Sequence, residues 1–222
     1  MLVITLKKNL YKTNGIKSTV IPNTFNKQFI YLDKKQKLRD ELKINHDDIV
    51  LISVGRLDSR NDGYKGQEHV IDFIYNNKLK SDKNYKYLII GKGDYKETLL
   101  RKVKNLNLEK EVSVLGYVST KNLIKYYNCS DIFIMLSKGE GFGIVYLEAM
   151  SCGLPTIGFD FGGVKDVLVY PFSKRIKSKF DLKSAIEDLE HGYKFNSNNI
   201  SKIIDKDFGF SVFSKKLNEF FL

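Results

Sequence analysis

Two carboxylates and two cations have types and spacing that could serve one reaction. Glu140 and Glu148 are separated by seven residues, which on one straight helix of 3.6 residues per turn would set them about 80° apart. They converge if Glu140 lies in the stretch Ser137-Lys-Gly-Glu140-Gly-Phe-Gly143 and Glu148 sits one or two turns into the helix that follows. Glu140 could then accept hydrogen bonds from sugar hydroxyls. Glu148, acceptor-only when ionised, could hold a ribose diol. Arg56 offers a planar bidentate fork and Lys65 a point charge, a pair suited to a diphosphate leaving group as charge develops on it. A plainer reading stays open: Glu148 as a surface helix residue, Glu140 as a helix-start charge favoured by the dipole, and both cations simply solvated in a lysine-rich chain.

The elements that must position these groups are short, apolar and β-branched. The runs Ile49–Val54, Tyr87–Ile90, Val112–Leu115, Ile132–Leu136 and Thr156–Phe159 predict strands, with a weaker one at Val167–Tyr170. Continuous apolar runs, rather than alternation, predict strands covered on both faces, as in parallel sheets. Helical spacing appears between them at Gln67–Tyr75, Lys96–Asn105, Thr120–Asn128 and Phe142–Ser151, and again at Phe180–Leu189. The alternation predicts a doubly wound α/β domain with right-handed crossovers.

In such a sheet, ligands bind beyond the carboxyl ends of the strands. Each predicted end carries glycine: Gly55-Arg56, Gly91-Lys92-Gly93, Gly116-Tyr117-Val118, the Glu140 stretch, and Asp160-Phe-Gly162-Gly163. Glycines admit close backbone approach, and helix N-termini favour phosphate. A phosphate-bearing ligand is the expectation.

Composition bounds the rest. At 222 residues, 42% of them hydrophobic and with three prolines, the chain is ordinary for a globular domain. No stretch approaches the ~20 apolar residues of a membrane-spanning helix. The start, Met1-Leu-Val-Ile-Thr-Leu-Lys-Lys, carries charge after its apolar run and no small-residue cleavage site, so no signal peptide is expected. Two cysteines, Cys129 and Cys152, make neither a disulfide framework nor a metal cluster. The net charge of +11 could reflect coding bias, an anionic membrane surface or nucleic acid. Its scatter among Asn and Ile lacks the clustered footprint of nucleic-acid binding. A cytoplasmic protein is expected, with contact at the inner membrane face as an option.

The segment Glu140-Gly-Phe-Gly-Ile-Val-Tyr-Leu-Glu148-Ala-Met-Ser-Cys-Gly-Leu-Pro155 resembles the E-x7-E signature of family 4 retaining glycosyltransferases, which have the GT-B fold. Val20-Ile-Pro-Asn23, Ser53-Val-Gly-Arg56-Leu, Lys65-Gly66, Leu88-Ile-Ile-Gly-Lys-Gly93, Leu115-Gly-Tyr-Val118, Ser130-Asp131 with Ser137, and Gly162-Gly163-Val164 agree with that family in order. The resemblance covers residues 16–222. It implies a Rossmann-like doubly wound parallel sheet, the C-terminal half of a GT-B architecture. Arg56 and Lys65 would bind the diphosphate, with Gly55 and Gly91 beside it. Glu140, with Gly141, Phe142 and Gly143 nearby, would contact the transferred sugar, Glu148 would hold the ribose, and Tyr117 and Val118 would bracket the base. It implies no cofactor and no metal, a nucleotide-diphosphate sugar as donor (UDP-sugar the first guess), a carbohydrate or lipid-linked acceptor, and a place in glycan or polysaccharide biosynthesis.

Departures from the family shape the remaining expectations. The family's N-terminal domain supplies the acceptor site, a glycine-rich loop and a histidine, and none of these is recognisable here. His46, His69 and His191 are read as surface residues. Residues 1–30, with a strand-like Ser18–Ile21, are expected to be the remnant of that domain and the linker, residues 31–207 the donor domain, and residues 208–222 an amphipathic helix for the missing half. That half would be an N-terminal domain or a separate subunit, and this chain would be inactive without it. The alternatives are a non-catalytic nucleotide-sugar or protein-binding module of GT-B origin, and a GT-B sugar-nucleotide epimerase or phosphorylase.

Overall fold

Strand β1 (Ile49–Val54) is buried at five of its six positions, as a strand covered on both faces must be. The computed structural model describes residues 21–59, 65–80, 82–191 and 195–221. Around β1 lie β2 (Tyr85–Ile90), β3 (Val112–Gly116), β4 (Ile132–Met135), β5 (Thr156–Phe159) and β6 (Ser173–Ile176). Every pairing is parallel, in the order β3-β2-β1-β4-β5-β6. The chain therefore winds outward from β1 in one direction, then returns to start β4 on its other side.

The helices are α1 (Lys35–Leu42), α2 (Gln67–Asn77), α3 (Lys96–Asn105), α4 (Thr120–Cys129), α5 (Ile144–Ser151), α6 (Val164–Val167), α7 (Leu182–His191), α8 (Ser197–Phe208) and α9 (Phe210–Phe221). They form two layers, because successive strand side chains point to opposite faces. Ile52, Phe133 and Met135 meet Tyr127 of α4, Tyr146 of α5 and Ile204 of α8. Leu51, Ile132 and Ile134 meet Ile71 of α2, Leu99 of α3 and Ile186 of α7. Phe25 and Phe29 join the first layer. No helix among the described residues is long and apolar enough to cross a membrane.

At the amino end of the sheet, Asp131 joins three elements. Its carboxylate accepts from Arg39 (2.6 Å), from Lys35 (2.5 Å) and from the Val50 amide (2.7 Å). Arg39 is buried and also donates to the carbonyls of Cys129, His46 and Asp48. Ser130-Asp131 thus holds α1 to the starts of β1 and β4.

Several expected boundaries move. The sixth strand is Ser173–Ile176, not Val167–Tyr170. Val167 closes α6 and is buried there with Leu168, while the edge strand β6 is polar and gave no apolar signal. Helices α1 and α8 were not anticipated. Strand β2 starts at Tyr85 and β4 stops at Met135. Helix α5 begins at Ile144 because Gly143, at φ 84°, stands outside it. A 3-10 turn at Lys179–Asp181 precedes α7, and Gly209 separates α8 from α9. Of the strand-like Ser18–Ile21, residues 18–20 lie outside the described residues, and Ile21 is buried coil.

Candidate functional site

The strand order reverses between β1 and β4, and their carboxyl ends open the crevice where ligands of such sheets bind. All six strands being parallel, the loops after each share one rim. Backbone bonds lock the first loops together. The Gly55 amide donates to Ile90 (3.0 Å), Leu57 to Lys92 (2.7 Å) and Gly91 to Gly116 (2.8 Å). A Cβ on Gly91 would lie 1.7 Å from the Gly55 carbonyl oxygen, so only glycine permits this approach.

Lys65 reaches across that crevice. Its stem passes Gly55, 3.8 Å from where a Cβ would be. Its ammonium donates to Glu140 Oε1, and the two side chains are 11% and 13% exposed. Burial, then the Arg56 guanidinium, pulls the Lys65 ammonium down to about 8. Arg56 itself is exposed at the rim. Residues 60–64 of the intervening loop lie outside the described residues.

Beyond Glu140 the backbone turns into α5 through exposed Gly141, buried Phe142 and Gly143. Gly143 takes the left-handed conformation and provides no capping side chain, leaving the first N–H groups of α5 without one. Glu148 lies four residues after exposed Ile144, on the same face of that helix. Burial raises its carboxyl above the usual range, opposed by the Tyr127 hydroxyl, which donates to Oε2 at 3.3 Å. Tyr127 is fully buried, and burial and then Glu148 push its own ionisation well upward.

At the β3 end of the rim, Tyr117 is 66% exposed, with the Lys92 ammonium 4.2 Å from its ring centroid, and Val118 is half-buried. The structure thus brings Arg56, Lys65 and Glu140 to one place, and Tyr127 to Glu148. Tyr127 and Lys92 were not singled out from the sequence. Tyr127 read as a packing position of its helix, and only the contact with α5 distinguishes its hydroxyl. Among the histidines, exposed His46 meets Asp40 at 2.7 Å. His69 corrects its expectation, being half-buried with its ring edge-on to Phe159 at 6.1 Å; it sits in the first turn of α2, beside the buried Val70. The His191 side chain lies outside the described residues.

An all-parallel sheet in this order is the doubly wound, Rossmann-like architecture that the C-terminal domains of GT-B glycosyltransferases share. The chain belongs to the family glycosyl transferases group 1, which matches residues 34–206. Among curated relatives, alpha-monoglucosyldiacylglycerol synthase of Acholeplasma laidlawii is 28% identical over 185 residues, covering 81% of this chain and 41% of that protein. N-acetyl-alpha-D-glucosaminyl L-malate synthase of Bacillus anthracis is 40% identical over 91 residues, covering 41% and 23%. This chain spans less than half the length of either. Anabaena HepE in complex with UDP shares the fold with a TM-score of 0.75 at 22% identity, over 91% of this chain and 57% of that one. The C-terminal domain of a glycosyl transferase group 1 family protein from Francisella tularensis does so with a TM-score of 0.61 at 21% identity, over 85% and 95%.

Proposed function

We propose that this chain is the donor-binding half of a glycosyltransferase that takes a nucleoside diphosphate sugar, a UDP-sugar first, and passes the sugar to a carbohydrate or lipid-linked acceptor with retention of configuration. The carrying observation is the Lys65–Glu140 pair, with Arg56 beside it, at the crevice between β1 and β4. In this reading the diphosphate lies on Arg56, Lys65 and the uncapped amides of α5, with Gly55 and Gly91 close to it. Glu140 and the backbone of Gly141, Phe142 and Gly143 hold the sugar, Glu148 takes the ribose diol, and Tyr117 and Val118 flank the base. No metal is needed, since two cations and helix amides meet the charge that develops on the leaving group. HepE, whose fold this chain shares, is known in complex with UDP-glucose, which supports the uridine choice.

The acceptor site would be supplied by an N-terminal domain or separate subunit, at a cytoplasmic or inner-membrane surface, in glycan assembly. Uridine, guanosine, adenosine and thymidine diphosphates titrated against the chain test the reading. UDP should stabilise the folded chain by mass action, by ~2.7 kcal/mol at a hundred times Kd, and so raise its melting temperature. Arg56→Ala and Glu148→Ala should each weaken binding, and His69→Ala should not. No shift with any of the four at millimolar concentration would refute it.

A further inference from the structure

Along the rim, the proposed donor runs from the base at β3, through the diphosphate at β1, to the sugar at β4. The same edge continues past the sugar to β5 and β6, and there it forms a groove of about 370 Å³ lined by Lys138, Phe159, Asp160, Phe161, Ile176 and Lys177. That size lies within the range of small-molecule sites. From this groove we infer that this half contributes an acceptor subsite of its own, for a sugar carrying a carboxylate or a phosphate. The inference rests on the donor reading above.

Four observations carry it. The groove touches the sugar end of the proposed donor site, for the Gly163 amide donates to the Glu140 carbonyl at 3.2 Å and Lys138 is two residues from Glu140. Phe161 is 54% exposed, an aromatic face beside the apolar walls of Phe159 and Ile176; flat rings of this kind match the C–H faces of a pyranose. Asp160 Oδ1 is buried without a hydrogen-bond donor. Its amide is committed to the Ile176 carbonyl at 2.8 Å, which fixes the residue in place, and its side chain is 25% exposed, so the outer part of the carboxylate is held at the groove to accept from a sugar hydroxyl. Finally, the sign of the charge is settled. Arg175 Nε stands 3.7 Å from Asp160 Oδ1 and offsets the one acid in the groove, which leaves the exposed Lys138 and Lys177 for an anionic group on the incoming sugar.

The test is an amide chemical-shift titration of the 222-residue chain, with and without saturating UDP. Methyl glucuronide and glucose 6-phosphate are the two anionic probes, methyl glucoside the neutral one, and inorganic phosphate the anion without a sugar. Both anionic sugars should shift Lys138, Phe161 and Lys177. The neutral sugar should bind about tenfold more weakly, as expected for one lost charged hydrogen bond. Phosphate alone should leave Phe161 unmoved. Phe161→Ala should weaken the anionic sugars about fivefold, an aromatic contact's contribution, and the double variant Lys138→Ala/Lys177→Ala should abolish their advantage over the neutral one. UDP affinity should be unchanged in both variants, which also shows that they fold. The inference falls if neither anionic sugar shifts the groove while UDP binds, if phosphate alone reproduces the shifts, or if the variants bind the sugars as tightly as the native chain. UDP titrated alone reports separately on the donor reading.

Discussion

Diphosphate affinity should fall about tenfold as the pH rises from 7 to 9, because Lys65 loses its proton in that interval. Burial and Arg56 set its ammonium at about 8. About nine-tenths of the chains then carry the charge at pH 7 and about one-tenth at pH 9. If only the charged form holds the phosphate, the apparent Kd follows that fraction, and tenfold is ~1.4 kcal/mol. The ligand does not confuse the reading, since a terminal phosphate with a second ionisation near ~6 is already charged at pH 7. Calorimetric titration of UDP at constant ionic strength, from pH 7 to 10, measures the effect. Lys65→Arg is the control: a guanidinium stays charged throughout, so its profile should be flat. The same depressed Lys65 has a stability consequence of known sign. The unfolded lysine keeps its proton to ~10.4 and the folded one releases it near 8. Between those values the unfolded state binds more protons, so stability rises with pH across that window. A native Kd that stays level from pH 7 to 9, or an equal rise in Lys65→Arg, would refute the assignment of Lys65 to the phosphate.

Two further substitutions probe the frame. Tyr127→Phe removes the hydroxyl that donates to the Glu148 carboxylate, so UDP should bind about tenfold more weakly, the lower end of a charged hydrogen bond's contribution. The preference for UDP over its 2′-deoxy form should shrink with it; an unchanged preference would separate Glu148 from the ribose. Asp131→Ala strands the buried Arg39 guanidinium and the Val50 amide, at a cost of about 3 kcal/mol. Urea unfolding should record that loss while UDP affinity of the folded chain stays the same, because Asp131 lies at the opposite end of the sheet from the rim.

The parallel sheet was legible in the chain because its central strands are apolar without alternation, and the short, β-branched run Ile49–Val54 read as a strand covered twice. The glycine-bearing strand ends followed from the same runs, and with them a single rim, since parallel strands end together. Helix α5 with Glu148, and the loop before it with Glu140, were legible from the motif around Glu140. Where the chain covers the sheet's edge, the signal failed. Strand β6 is Ser-Lys-Arg-Ile, polar because an edge needs no second apolar face, and the apolar Val167-Leu168 before it belongs to a helical turn. Local periodicity also had no access to contacts made across crossovers. That Lys65 ends on Glu140, that Tyr127 turns its hydroxyl to Glu148, and that Asp131 gathers Arg39 and Lys35 depend on how α2, α4, α5 and α1 dock on the sheet. Those placements are set by packing between segments far apart in the chain, which no window of sequence contains. The residue types and the rim came from the sequence, and the pairings that could give them a chemistry came from the tertiary structure.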